Sequence, residues 1–353
     1  MRKPFFLLAL SASAAALLIA ACGGDSTTDP TQTTAATSAP TKAPEPTIAA
    51  APTDVIALKK SPTSLAGDDA VWKDARVTTV KTTVIKGSEA KGPVDVKMQA
   101  LNSDTDVWFR FEWAAAQKTT ARDWTFDGTK FKAPSGQQDR LALFWEIKPS
   151  TDFQAKGCAA LCHNPETDKI DKWWMVSPPG SLMDNWQWTA GISNGMNQAN
   201  DLTLSDIVPA PTALGVPFVA DPNTGGGNTA NTNDAKDAPK MMQDPAKKPS
   251  LGTDYLLVSE AIALDVTKLK AGDKIPNALL EPFKGSRGDV EAKGVWANGT
   301  WTVVFHRKLD TGNVDDAKFA PGGSYKFGLG AFVALGDVDH TITTDPYTLK
   351  LAK

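Results

Sequence analysis

The chain has 353 residues, of which 22% are charged and 8% are aromatic, and its formal net charge is −3. This slightly acidic balance argues against nucleic-acid binding, which requires a basic surface. The length allows two domains, but only part of the chain has the composition of a folded one.

The N-terminus has the features of an export signal. A positively charged start, Arg2-Lys3, precedes an apolar run that is too short and wrongly flanked for a membrane-spanning helix. Cys22 closes the sequence IAAC, which resembles a bacterial lipobox. We therefore expect residues 1–21 to be a lipoprotein signal peptide. We also expect Cys22 to be acylated, anchoring the protein to the cell membrane so that it faces the periplasm or the cell exterior. The alternative is an ordinary cleaved signal in which Cys22 has no role.

Two segments are too polar to form a core of their own. Residues 22–65 are rich in Thr, Ala, Pro and Ser, with almost no large apolar side chain before Val55. Such a segment buries too little surface to offset its ordering entropy, so we expect a disordered tether. A second polar tract, residues 221–250, contains three consecutive glycines and several asparagines and is predicted to be a surface insertion. The folded domain is therefore expected to span residues 66–353.

Between these tracts apolar residues recur at every second position, which is the period of a half-buried strand. The clearest strands are predicted at 107–113, 141–147 and 301–305, with others at 94–101, 255–258 and 325–335. Asn298-Gly299 predicts a type I′ hairpin. Residues 173–200 are less regular and are predicted to hold a helix or a loop. The pattern favours an all-β domain, an antiparallel sandwich or barrel with irregular or short helical insertions.

The most informative motif is GCAALCH at residues 157–163, which places Cys158 and Cys162 directly before His163. In c-type cytochromes two cysteine thiols add to the haem vinyl groups and the adjoining histidine ligates the iron. The usual spacing is C-x-x-C-H, and this chain has one extra residue. A disulfide is also compatible with an exported protein. A zinc site including His163 is the third alternative, although a fourth zinc ligand is not evident.

Several short segments occur in the same order in the ethylbenzene dehydrogenase-related haem-binding domain family, which this chain resembles over most of residues 68–353. They are residues 139–145 (DRLALFW), 157–163, 184–188 (DNWQW), 299–305 (GTWTVVF), 340–343 (HTIT) and 347–349 (YTL). The resemblance implies a β-sandwich that cradles haem at one end. It favours one covalently bound haem c, with thioether links to Cys158 and Cys162 and with His163 as the proximal iron ligand.

The resemblance also has departures. The haem subunit of the family's molybdenum enzyme binds haem b without covalent bonds, through a methionine and a lysine. This chain is similar to a c-type branch, with its cysteines and His163 in the region of that methionine. The tryptophan motif usually continues into a lysine, where this chain has Thr189.

A second axial ligand is expected, since electron carriers commonly add His or Met to the iron. Only His306 and His340 remain besides His163. His306 lies in a predicted strand and is interpreted as a surface or sheet-packing residue. His340 follows a predicted turn and lies in the terminal motif where the family's distal ligand falls, so it is the preferred ligand. Met183 and Met175 are the alternatives, although methionine is more often core filler.

These residues favour an electron-transfer protein over an enzyme, because no pairing of nucleophile and base and no phosphate-binding loop is evident. The expected partners are redox proteins, whose identity the sequence does not give, and the membrane through the lipid anchor. A haem subunit of a molybdenum-dependent oxidoreductase complex is the second hypothesis. A lipoprotein that binds a ligand without haem is the third. Trp186 and Trp188 are equally compatible with a haem contact and with ordinary core packing.

Overall fold

The computed structural model describes residues 51–85, 88–120, 123–161, 175–207, 218–335 and 339–353. The predicted signal peptide, Cys22, Cys162 and His163 lie outside these residues. In chain order the strands are β1 (Asp54–Lys59), β2 (Thr78–Lys81), β3 (Thr83–Val84), β4 (Asp95–Asn102), β5 (Asp106–Ala114), β6 (Asp123–Phe126), β7 (Phe131–Lys132), β8 (Gln138–Lys148), β9 (Leu182–Thr189), β10 (Asn200–Ser205), β11 (Phe218–Ala220), β12 (Gly225–Ala230), β13 (Met241–Gln243), β14 (Ala261–Ala263), β15 (Lys274–Pro276), β16 (Ala278–Lys284), β17 (Glu291–Ala297), β18 (Thr300–Lys308), β19 (Ser324–Leu335), β20 (Thr341–Ile342) and β21 (Tyr347–Lys350).

Helical structure in the described residues is short. One α-helix, α1, spans Thr151–Lys156, and single 3-10 turns lie at Ala70–Lys73, Gly157–Ala160, Ser193–Met196, Val258–Glu260, Val266–Lys268 and Ser286–Gly288. Among the described residues, no helix has both the length and the apolar character needed to cross a membrane.

One curled sheet forms the domain, in the order β11-β10-β9-β8-β19-β21-β1-β4-β5-β18-β17. The sheet bends at strand β1. The first residues of this strand pair in parallel with β21 and its last residues pair in parallel with β4. Most other pairings are antiparallel, as the alternation predicts. Because the sheet bends at β1, its two halves face each other and form a β-sandwich, and the predicted fold class is confirmed.

The core between the two halves is aromatic. Phe109 of β5 stacks on Trp145 of β8 at 5.3 Å between ring centroids. Trp188 of β9 meets Trp113 of β5 edge to face at 5.8 Å. The predicted hairpin is also present, since Asn298 and Gly299 have φ values of 50° and 76° and join β17 to β18. Alternate residues of these strands therefore point into one shared core.

Three sequence predictions need correction. The tether and the domain boundary were placed too far along the chain, because β1 begins at Asp54 and buries Val55 completely. Residues 255–258 are not a strand. They make only one isolated bridge, from Leu257 to Leu280, before a 3-10 turn. Residues 182–189, predicted to be helix or loop, form β9, since Trp186 and Trp188 fill the core on one face of that strand.

The polar insertion is mostly exposed, but it is not without structure. It contributes β12, which pairs with β16, and β13, which pairs with β14. Met242 is buried in a small satellite cluster.

Candidate functional site

A second apolar cluster covers the outer face of β8, β9 and β19, on the side of the sheet opposite the core. Alternation along β8 separates the two, since Leu143 faces the core and Phe144 faces outward. We call it the outer cluster. Its buried members are Ile85, Ala142, Phe144, Phe153, Cys158, Leu161, Met175, Met183, Leu204 and Ile342, with Ala160, Phe218 and Phe332 packed against them.

A short helix and turn deliver Cys158 to this cluster. Ser150 caps the start of α1 by accepting a hydrogen bond from the Phe153 amide. Gly157 then ends the helix with a φ of 59°, a conformation that favours glycine. The following 3-10 turn lays Cys158 against β19, where a Cβ placed on Gly328 would lie 2.9 Å from the Cys158 Cβ. Only glycine at position 328 permits this close approach.

The Cys158 side chain is completely buried. Burial raises the pKa of its thiol to about 12, so the thiol is protonated at neutral pH. Nucleophilic and redox-active cysteines need an accessible thiolate. The environment of Cys158 therefore does not suit a catalytic cysteine.

His340 reaches the same strand from the C-terminal segment. Its ring stacks on Phe332 of β19 at 4.6 Å between centroids and it is only 8% exposed. Two threonines hold the segment after His340 against β19. The hydroxyl of Thr341, the first residue of β20, donates to the Ala331 carbonyl, and the Thr343 hydroxyl accepts from the Leu329 amide. These bonds fix the histidine at the edge of the outer cluster.

Cys158 and His340 therefore occupy neighbouring positions along one strand. A Cβ placed on Gly330 would lie 3.7 Å from His340 Cδ2. Gly328 and Gly330 lie on the same face of β19, about 7 Å apart at the rise of a β-strand. We call this pair the glycine strip. It had no role in the sequence prediction, although glycine within a strand signals close approach by another group.

The remaining predicted residues fall into three groups. Met183 and Met175, the alternative ligands, are buried in the outer cluster with Cys158. His306 is elsewhere: its ring stacks on Trp108 at 4.9 Å and contacts Glu291 and Asp106, which supports its interpretation as a sheet-packing residue. Trp186 and Trp188 belong to the core, which decides in favour of packing.

The comparison with protein-family models identifies the family of this chain. The family model described as ethylbenzene dehydrogenase matches residues 69–344. The chain belongs to the ethylbenzene dehydrogenase family. Among curated proteins, none matches this chain.

Solved structures resemble this family member only distantly. A family 9 carbohydrate-binding module from Caldicellulosiruptor kristjanssonii in complex with glucose is 10% identical, with 85% of this chain and 96% of that chain covered and a TM-score of 0.33. The same module in complex with cellotriose is also 10% identical and has a TM-score of 0.33, with 85% and 93% covered. Similarity this low carries no functional conclusion.

Proposed function

We propose that this protein is a membrane-anchored, monohaem c-type cytochrome that transfers electrons outside the cytoplasmic membrane. The observation that carries the proposal is the convergence of Cys158 and His340 on the glycine strip, with Cys158 inside a buried apolar cluster and His340 at its edge. The two residues are 182 positions apart in the chain. A cysteine thiol can form a thioether bond to a haem vinyl group, and a nearby imidazole can ligate the haem iron.

The residues of the outer cluster fit a haem. A porphyrin needs a broad apolar surface and at least one nitrogen or sulfur ligand for its iron. Phe144, Phe218 and Phe332 contribute aromatic surface to the cluster, and positions 328 and 330 of β19 carry no side chain. Cys162 and His163 follow Leu161, which is itself buried in the cluster.

Each residue would then have a defined role. Cys158 and Cys162 would hold the macrocycle through thioether bonds, and His163 and His340 would ligate the iron. The bound haem supplies one-electron iron chemistry. The apolar side chains would exclude water from the site, and with the ligating histidines they would set the reduction potential. Phe332 and the two threonines keep the His340 imidazole in one orientation.

The proposed location follows from the N-terminal sequence. Acylation of Cys22 in the lipobox-like sequence and the polar tether behind it suit a carrier that moves between redox partners near the membrane. Mass spectrometry of the mature N-terminus tests this part separately. We expect an acylated Cys22, and an unmodified cysteine or cleavage elsewhere would contradict the anchor while leaving the haem proposal intact.

The family description favours a second candidate, in which this chain is the haem subunit of a molybdenum-dependent oxidoreductase. Both candidates need the same haem site, and they differ in partner. Purification from the native membrane distinguishes them, because a subunit would co-purify with a molybdenum-containing chain in a fixed ratio.

The test of the haem site is a haem stain after denaturing electrophoresis, on protein produced with a cytochrome-maturation system. We expect the wild-type band to stain and the Cys158→Ala, Cys162→Ala double variant to lose the stain. His306→Ala is the matched control and should stain like wild type. Equal staining of the double variant, or a colourless wild type, would contradict covalent attachment.

A further inference from the structure

A group of carboxyl side chains lies on the core side of β9, away from the outer cluster. Asp184 of β9, Asp201 of β10 and Asp316, from the loop between β18 and β19, have carboxylate oxygens within 4.8 Å of one another, and all three side chains are buried. Asp289 and Asp221 lie close enough for their charges to interact with those of these carboxyls. We call these five residues the acidic cluster.

Three carboxyls of this cluster accept hydrogen bonds through one oxygen only. One oxygen of Asp184 accepts from Arg307 Nη1 at 2.8 Å and from the Ala317 amide at 2.9 Å. Asn313 Nδ2 donates to one oxygen of Asp316 at 3.2 Å and to one oxygen of Asp289 at 3.0 Å. In each of these three carboxylates the second oxygen, Oδ1, has no hydrogen-bond donor.

Asp201 shows the same feature more strongly. It is completely buried, and neither of its oxygens receives a hydrogen bond. Asp221, which is 3% exposed, also has two oxygens without a donor. Buried polar atoms in native proteins are nearly always paired, so this concentration of oxygens without donors calls either for a bound cation or for protons shared between the carboxyls.

The cations of the protein do not supply enough charge. Among the described side chains, Arg307 is the one that forms ion pairs with the cluster, to Asp184 and Asp316. Arg287 lies near enough to Asp221 for their charges to interact, so two guanidinium groups face five carboxyls.

We propose that the acidic cluster is a structural binding site for a divalent cation of the calcium type, with Asp184, Asp201 and Asp316 as its principal ligands. Two oxygens bound to one calcium ion at about 2.4 Å lie no more than about 5 Å apart, which agrees with the observed convergence. The hydrogen bonds that Asp184 and Asp316 accept through their other oxygens would orient these ligands, as the outer shell of a metal site does. Magnesium fits less well, because it requires a strict octahedron and retains its water.

The site would join elements that are distant in sequence. Its ligands come from β9, from β10 and from the loop after β18, and Arg307 connects them by packing over the Trp186 ring at 4.6 Å. A bound cation would therefore fasten one edge of the sandwich to the loop between β18 and β19. This proposal is independent of the haem site.

The test uses the full-length mature protein treated with a chelator and then titrated with calcium chloride. We expect about one bound calcium ion per chain and an increase in Tm of about 5 °C when calcium is in about hundredfold excess over its Kd. Magnesium chloride at the same concentration should give less than half of that increase. Asp201→Asn should weaken calcium binding at least tenfold, whereas the exposed control Asp104→Asn should bind like wild type.

If Asp201→Asn fails to fold, calcium content and the Tm of the wild type decide the matter alone. A chelated wild type whose Tm does not change with calcium, and which binds none by calorimetry, would overturn the proposal. Equal calcium responses of wild type and Asp201→Asn would also overturn it. In either case the cluster would be neutralised by protons instead.

Discussion

Two buried regions of opposite character lie back to back at β9. Met183 faces the outer cluster, and its neighbour Asp184 faces the acidic cluster. The outer cluster is apolar, holds one thiol and has one imidazole at its edge, whereas the acidic cluster collects five carboxyls, of which Asp184 and Asp316 pair with Arg307. The comparison shows that strand alternation can separate an apolar ligand site from a polar, charge-dense one by a single residue.

The largest expected effect is in the acidic cluster. Arg307→Met keeps an elongated apolar stem over Trp186 but removes the buried positive charge that Asp184 and Asp316 contact. Breaking a buried ion pair from one side costs about 3–5 kcal/mol, so we expect a loss of that size in the free energy of unfolding, measured with urea in the presence of chelator.

The control is Lys60→Met, which removes an exposed ion pair to Asp74. Such pairs contribute about 0–1 kcal/mol. If both variants lose the same amount, the two environments do not differ as described.

A medium effect is expected at the glycine strip. A Cβ at position 328 meets the Cβ, Cα and N atoms of Cys158 at 2.9–3.0 Å, whereas one at position 330 meets nothing nearer than 3.7 Å. Overpacking of this kind costs about 1–3 kcal/mol. In protein made without haem attachment, Gly328→Ala should therefore lower the unfolding free energy by that amount, and Gly330→Ala by less than about 1 kcal/mol. Equal losses would mean that the Cys158 turn does not rest on β19 in this way.

Much of the fold follows from local patterns. Val107, Phe109 and Phe111 alternate with a clear period, and Asn298-Gly299 has the chemistry of its turn, so the strands and the hairpin could be predicted. β1 could not, because it is six residues long, follows a polar stretch, and depends on partners about 45 and 290 residues away. β9 was not recognised from the sequence, because one of its faces packs in the core and the other packs in the outer cluster.

The candidate site was also only partly predictable from the sequence. Cys158 and His340 carry recognisable motifs, but their proximity depends on Gly328 and Gly330, whose role appears only when β19 is in place. The acidic cluster gave no sequence signal, since Asp184, Asp201 and Asp316 come from three separate segments. Residues that come together only in the folded structure have no characteristic spacing in the sequence.

The central claim is that His340 and the Cys158 motif share one iron, and the optical spectrum of the purified, haem-loaded protein tests it most directly. Two imidazole ligands should give low-spin haem in both oxidation states. His340→Ala should become high-spin or bind carbon monoxide, while His306→Ala and Met183→Leu should keep the wild-type spectrum. A sulfur-to-iron charge-transfer band in the ferric wild type, lost in Met183→Leu or Met175→Leu and kept in His340→Ala, would contradict it.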